Sequence, residues 1–269
     1  MKINESNPFQ FLPITSCTYT EEQQALMAKT GAFGNEEFFI QYRTDPESVI
    51  PLLPEPFKPT ENPIVTICFM WMKGNPVMDY EGYCICPVTV SARFDGEKDQ
   101  VEGDYVIIMA EDNNFPIHAG RHPWGVAKYY VEFDRYSTKS LDHIRCEATA
   151  KGKAIYGVEF DPMKEVDEKT REDFVKMVNA RPHFGYELLA NPDYTVTHYP
   201  SIIPFAKTMD HLWLGDSGTP YFSDNIRKDL LMELNSINAI RKMPVLEVIR
   251  TGHSIGTMSF LHMEFRKAE

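Results

Sequence analysis

The chain is short of cysteine. It has five in 269 residues: Cys17, Cys68, Cys84, Cys86 and Cys146. A disulfide framework needs a dense, even set, so these read as reduced thiols of a cytoplasmic protein. Cys84 and Cys86 stand two apart, but no second Cys/His pair follows at metal spacing, and no zinc site is assigned. Positive charge is also scarce. The sequence holds 27 Lys and Arg against 39 Asp and Glu, a net charge of −12. Basic residues cluster no further than in "IRK", so the phosphate neutralisation that nucleic-acid binding requires is missing. No apolar run approaches the ~20 residues that cross a bilayer. The opening "MKINESNPFQ" lacks the apolar core of a secretory signal. No P-loop, GxGxxG or CxxC spelling occurs. "GHSIG" (252–256) sets a serine between glycines and is not read as a nucleophile elbow.

What is present is a globular composition, 43% hydrophobic and 25% charged, with enough apolar residues for a sizeable core. Extended runs dominate: "EEFFIQYR", "IVTICFMWM", "CICPVTVSARF", "DYVIIMAED", "KYYVEFDRY", "HIRCEATAKG" and "KAIYGVEFD", then "YTVTHY", "IIPFAKTM", "HLWLG", "VLEVIRT" and "GTMSFLHMEF". Helical signals are few. "DEKTREDFVKMV" (167–178) has Asp167 at its cap and apolar residues at helical spacing. "TDPESVIPLLPEPF" starts a short helix at Asp45 and Pro46 that Pro51 and Pro54 stop. "DNIRKDLLMELNSI" (224–237) and "EEQQALMAK" are further candidates. Strands that do not alternate with helices exclude a parallel doubly wound sheet. The expected fold is mainly β: one domain over 1–269, a closed antiparallel barrel with a few peripheral helices, and an irregular N-terminal extension over 1–34.

The stretch "HAGRHPWGVAKYY" (118–130) places one amine, Lys128, among Trp124, Val126, Ala127, Tyr129 and Tyr130. An amine attacks a carbonyl only when neutral, and a lysine in water, with a pKa of ~10.4, is seldom neutral at pH 7. Burial penalises the ammonium, so a desolvated lysine is a route to Schiff-base chemistry. The other reading is a lysine that buries its stem and keeps its head in water. Glu81, in "DYEGYCICP", is a candidate for moving protons near such an amine, and taken alone is equally a turn residue. His118 and His122 stand four apart with Glu111 upstream. The HExxH glutamate is missing and Pro123 follows, so no metal is assigned. Arg43 and Arg121 each offer a fork to a carboxylate or to a structural ion pair.

Three stretches, in this order, resemble the acetoacetate decarboxylase family. "YRTDPESVIPLLPEPF" is similar to its Tyr-Arg-Thr-Asp turn, short helix and Pro-Glu-Pro. "YEGYCICPV" keeps a glutamate six residues before Pro-Val, which puts the family's active-site glutamate at Glu81. "GRHPWGVAK" resembles the segment whose lysine forms the Schiff base, and that lysine falls on Lys128. The likeness continues through "ARPHFGYELL", "HLWLG" and "KMPVLEVIRTGHSIGTMSF". It implies a cone-like antiparallel barrel, a homo-oligomer, a small keto-acid substrate and no cofactor.

The departures are specific. The second lysine that follows the Schiff-base lysine is Tyr129 here, and the glutamate that partners it falls on Cys68. Losing only one would leave a buried charge unpaired, so the two losses go together. They imply a neutral, more apolar pocket in which desolvation alone favours the free amine. The substrate-side arginine falls on Asn35, so the anchor for a β-keto carboxylate is expected to be absent. His122 replaces the glutamate of Gly-Arg-Glu. The resemblance makes Lys128 and Glu81 the catalytic candidates, with Arg121, Tyr129, Trp124 and Cys68 shaping the pocket. The implied reaction is decarboxylation of an acetoacetate-like acid. Aldolase or dehydratase chemistry through the same lysine is one alternative, and a barrel that binds a small apolar ligand without catalysis is another.

Overall fold

The structure is a computed structural model, and it describes residues 32–74, 82–121, 124–134, 144–190, 196–224, 231–260 and 266–269, with Glu22. Glu81, His122, Cys17 and most of the expected helix "EEQQALMAK" lie outside the described residues.

Sixteen strands are present among the described residues. They are β1 (Phe33–Arg43), β2 (Phe57–Pro59), β3 (Ile64–Lys73), β4 (Tyr83–Asp95), β5 (Gln100–Glu111), β6 (Lys128–Tyr130), β7 (Glu132–Asp134) and β8 (Ile144–Ala150). The rest are β9 (Lys153–Phe160), β10 (Lys164–Glu165), β11 (His183–Ala190), β12 (Val196–Ile203), β13 (Phe205–Gly215), β14 (Gly218–Phe222), β15 (Glu247–Phe260) and β16 (Arg266–Lys267). The helices are α1 (Pro46–Val49), α2 (Asn114–Arg121), α3 (Glu168–Asn179) and α4 (Leu231–Arg241). Asp167 caps α3 by accepting the Thr170 N–H at 2.8 Å, as its sequence suggests. Asp45 takes the N-cap place of α1 without a side-chain bond to the backbone.

The large sheet runs β10-β13-β15-β1-β3-β4-β5-β11-β12-β16, with β2 on β4 and β6 on β5. A second sheet, β14-β9-β8-β7, packs beside it. The expected closed antiparallel barrel is not what forms: the large sheet is open, with β10 and β16 at its two ends. It is also mixed, because β6 and β11 both pair parallel with β5. The reason lies in the stretch after β5. Residues 114–121 form α2, so the chain crosses back over the sheet and rejoins β5 in parallel, where a hairpin would have given an antiparallel partner. The run "KYYVEFDRY", expected as one strand, divides into β6 and β7 on either side of Val131, and the two belong to different sheets.

β3 is the unbroken apolar run "IVTICFMWMK", and it is buried on both faces. One face, with Phe38, Ile67, Phe69 and Tyr129, packs on the second sheet through Cys146, Tyr156 and Val158. The other face, with Phe39, Cys68, Met70, Met109 and Val126, packs on Phe174 of α3 and Phe205 of β13. Among the described residues no helix is long and apolar enough to cross a membrane.

Candidate active site

Lys128 opens β6, in register with Met109 of β5. Alternation along a strand sends its side chain to the Met109 face and the Tyr129 side chain to the opposite one. Lys128 is only 5% exposed. Its stem lies under α2 at Gly120, where any Cβ would stand 2.1 Å from the Lys128 Cε. Glycine there is what lets the helix and the lysine approach. Arg121, one residue on, donates from Nε to the Lys128 carbonyl at 2.8 Å, with Nη2 on the same oxygen. Its guanidinium therefore fixes the backbone of the lysine and does not reach into a pocket. The Trp124 ring stands 6.0 Å from the Lys128 Nζ.

The Lys128 Nζ donates to Glu111 Oε1 at 2.7 Å and to the Pro116 carbonyl at 2.9 Å. Glu111 is fully buried, and its Oε2 has no hydrogen-bond partner among the described residues. Burial raises the Glu111 carboxyl, the charge and hydrogen bond of Lys128 pull it back, and the balance stays above the ordinary carboxylate range.

A second buried lysine stands on the same face. Lys207 of β13 donates from Nζ to Glu37 Oε2 at 2.5 Å. The same oxygen receives the Asn35 Nδ2 at 3.3 Å and the Cys68 Sγ at 3.6 Å, and Ser254 Oγ donates to Oε1 at 3.1 Å. Burial pushes Glu37 up, but the Lys207 charge and these hydrogen bonds outweigh it and hold the carboxyl below its ordinary value. Burial opposes the Lys207 ammonium, and the Glu37 charge more than offsets that, so its pKa is raised. The neutral, apolar pocket expected from the loss of the family's lysine and glutamate is thus not found. An ion pair occupies it, built from other positions.

A cavity of about 460 Å3 opens at this second pair, with Glu37, Cys68, Met70, His183, Lys207 and Arg250 in its wall. Lys128 and Glu111 are not in that wall. The register nevertheless links the two pairs. Glu37, Met70, Ile85 and Glu111 form one cross-strand row over β1, β3, β4 and β5. At ~4.8 Å per strand, the two glutamates stand about 14 Å apart along it. His183 lies close to Lys207, and burial, aided by the Lys207 charge, lowers its ring to about 3 and keeps it neutral. Burial also pushes the Cys68 thiol well up, so it donates to Glu37 as a neutral group.

The sequence pattern of the acetoacetate decarboxylase family matches residues 12–265. The chain belongs to the acetoacetate decarboxylase family. An acetoacetate decarboxylase of Ralstonia nicotianae is 25% identical over 241 residues, 84% of each chain. The crystal structure of acetoacetate decarboxylase from Legionella pneumophila superposes with a TM-score of 0.68 at 19% identity, over 88% of this chain and 86% of that one. The enduracididine biosynthesis enzyme MppR, complexed with pyruvate, superposes with a TM-score of 0.62 at 13% identity, over 88% of this chain and 89% of that one.

Within this acetoacetate decarboxylase family chain, the structure gathers Lys128, Arg121 and Trp124 around α2 and β6, and puts Cys68 in the cavity wall beside Glu37. It sends Tyr129 into the core on the opposite face. Arg43 is a surface ion pair with Glu247 at 2.9 Å. Ser254 of "GHSIG" lies within β15, without the strand-to-helix turn of a nucleophile elbow. Sequence reasoning missed Glu37, Lys207 and the role of Glu111. The signal for Lys207 was there: "IIPFAKTM" carries a lone amine in an apolar strand, as "PWGVAKYY" does.

Proposed function

We propose that the protein is a Schiff-base lyase acting on a small keto acid, with the imine formed on Lys128. The observation that carries this reading is the buried Lys128–Glu111 pair, in which the carboxyl is raised and its second oxygen is unpartnered. Glu111 takes a proton from the ammonium, which releases the neutral amine from the ion pair and lets it turn toward the cavity. The amine adds to the keto carbon, Glu111 returns the proton, water leaves, and a protonated imine results. Loss of CO2 breaks its bond to the α-carbon, next to the imine carbon, and the bond's electron pair passes into the imine to give an enamine. Protonation at that carbon and hydrolysis free the ketone and the lysine. Glu81 is assigned to proton handling on the substrate side, and the chain acts as one domain in a homo-oligomer. The buried thiols of Cys68, Cys84, Cys86 and Cys146, none of them in a disulfide, fit a reducing cytoplasm.

Aldol or dehydration chemistry at the same imine is the second reading. It is favoured by Asn35 and Tyr129, which stand where the resemblance places an arginine and a lysine. The test is incubation with acetoacetate, pyruvate and longer keto acids, each with borohydride, followed by peptide mapping and a CO2-release assay. A reduced adduct on Lys128 is expected, with CO2 released from β-keto acids. An adduct on Lys207, or on neither lysine, overturns the assignment.

A further inference from the structure

The site assigns chemistry to one lysine and leaves the other without a task. Lys207 is not built as a nucleophile. Its carboxylate partner is saturated by Asn35, Cys68 and Ser254 and is not free to accept its proton. What Lys207 does have is unused donor capacity at a cavity wall. An ammonium carries three N–H groups. One goes to Glu37 Oε2, and among the described residues the Met70 sulfur stands at 3.9 Å and the Phe205 ring at 5.8 Å. The side chain is 10% exposed, and that exposure is to the cavity.

Its position is informative. Asn35, where the family resemblance places a substrate-side arginine, donates to the same Glu37 oxygen as Lys207. A cation has therefore returned to the neighbourhood of position 35, entering from β13 two strands away instead of from β1. Its head also reaches across to Met70 of β3, two strand spacings, about 10 Å, from Glu111 along the cross-strand row. The other cations of the cavity are paired or lie off the cross-strand row that carries Glu37 and Glu111. Arg181 is engaged by Asp104 at 3.0 Å and Glu102 at 3.7 Å. Arg250 stands over the Phe174 ring at 5.6 Å, in register with Gln41 and on the far side of Phe39 from Glu37.

We propose that Lys207 is the carboxylate-binding subsite of the cavity, holding the acid group of the keto-acid substrate while its keto carbon meets Lys128. Neutral His183 and the Cys68 thiol stand in the same wall, and of its other carboxylates Glu102 and Asp104 are paired with Arg181, while Glu61 is exposed. The proposal rests on the imine reading for its second half only, since the subsite binds a carboxylate whether or not an imine forms.

The test compares ligands with and without the acid group. Borohydride trapping of Lys128 is measured with acetoacetate and with acetone, in the native enzyme, in Lys207→Met, in Arg250→Met and in the double variant Glu37→Gln/Lys207→Met, which leaves no buried charge alone. Binding of 3-hydroxybutyrate, which carries the carboxylate and cannot form an imine, is measured by calorimetry on the same set. Loss of Lys207 is expected to raise the half-saturating acetoacetate concentration at least 30-fold and to leave acetone within threefold. Hydroxybutyrate binding is lost in parallel, and Lys207→Arg recovers part of both. An equal effect on acetone and acetoacetate, no effect, or a loss that follows Arg250→Met instead overturns the proposal. Hydroxybutyrate binding that depends on Lys207, with no trapping on Lys128 by any ligand, sustains the subsite and removes the imine.

Discussion

Lys128 and Lys207 stand on one face of the large sheet, and the glutamates that hold them are tuned in opposite directions. Glu111 lies above its ordinary range and Glu37 below. Among the described residues Glu37 receives four donors, whereas Glu111 receives the Lys128 ammonium alone, leaves Oε2 bare and is also raised by the Asp112 charge. Each extra donor favours the charged carboxylate. One lysine is thus paired with a base and the other with a fixed counter-ion.

Glu111→Gln tests the base. The amide keeps the shape and still accepts a hydrogen bond from Lys128, but it cannot take the proton. The expected result is a fall in kcat of about 10²–10⁴, the usual scale for a lost general base, with KM within a few-fold. The lost limb of the pH profile should return in part in Glu111→Asp. A change in KM alone would assign Glu111 to structure.

Gly120→Ala tests the approach of α2 to the lysine. The added methyl would overlap the Lys128 Cε, and Cδ stands at 2.8 Å from the same point. Relief requires the lysine to leave its place, because the helix backbone is held by its own bonds. Overpacking of this kind costs about 1–3 kcal/mol. Chemical denaturation should show that loss, and borohydride trapping at Lys128 should drop with it. Native-like trapping would show that the lysine rests elsewhere in solution.

The strand content, the α3 cap and the two-faced burial of β3 were legible because each depends on local pattern. Closure was not, because pairing depends on where the chain returns after α2, and that helix is only eight residues long and carries Pro116 and Gly120. Lys128 stood out as a single amine in an apolar run. Its partner did not, because Glu111 lies 17 residues upstream and meets it only through the parallel β5–β6 register. The Glu37–Lys207 pair spans 170 residues. Positions 68 and 129 are uncharged, and nothing in a single sequence ties position 37 to position 207.

That second pair makes a prediction on stability. Glu37→Gln leaves the Lys207 ammonium buried without its counter-ion, and Lys207→Met leaves the carboxylate. Breaking a buried pair on one side costs about 3–5 kcal/mol, while replacing both partners is often close to neutral. Urea denaturation of the two single variants and the double should therefore show two large losses and a small one. Additive losses would mean that the two groups do not share one interaction.

The same neighbourhood predicts a dependence on pH. His183 has an ordinary pKa of 6.5 and is held down to about 3 in the fold by burial and by the Lys207 charge. The unfolded chain therefore binds a proton between those values that the folded chain refuses, so stability falls as pH drops below 6.5, at most by about 1.4 kcal/mol per unit. Glu37, whose folded value is depressed below 4.5, adds its own loss only as pH falls through that lower range. His253, also lowered by burial, contributes with the same sign as His183. In the window between pH 6.5 and 4.5 the two histidines thus lower stability as pH falls, the raised carboxyls of Glu111 and Asp104 act with the opposite sign, and Glu37 takes no part. His183→Gln should flatten part of the stability profile there and leave His253 to supply the rest. Denaturation midpoints at pH 7, 6 and 5 decide it, and parallel profiles for native and variant protein would mean that the His183 ring is protonated as freely in the fold as in the unfolded chain.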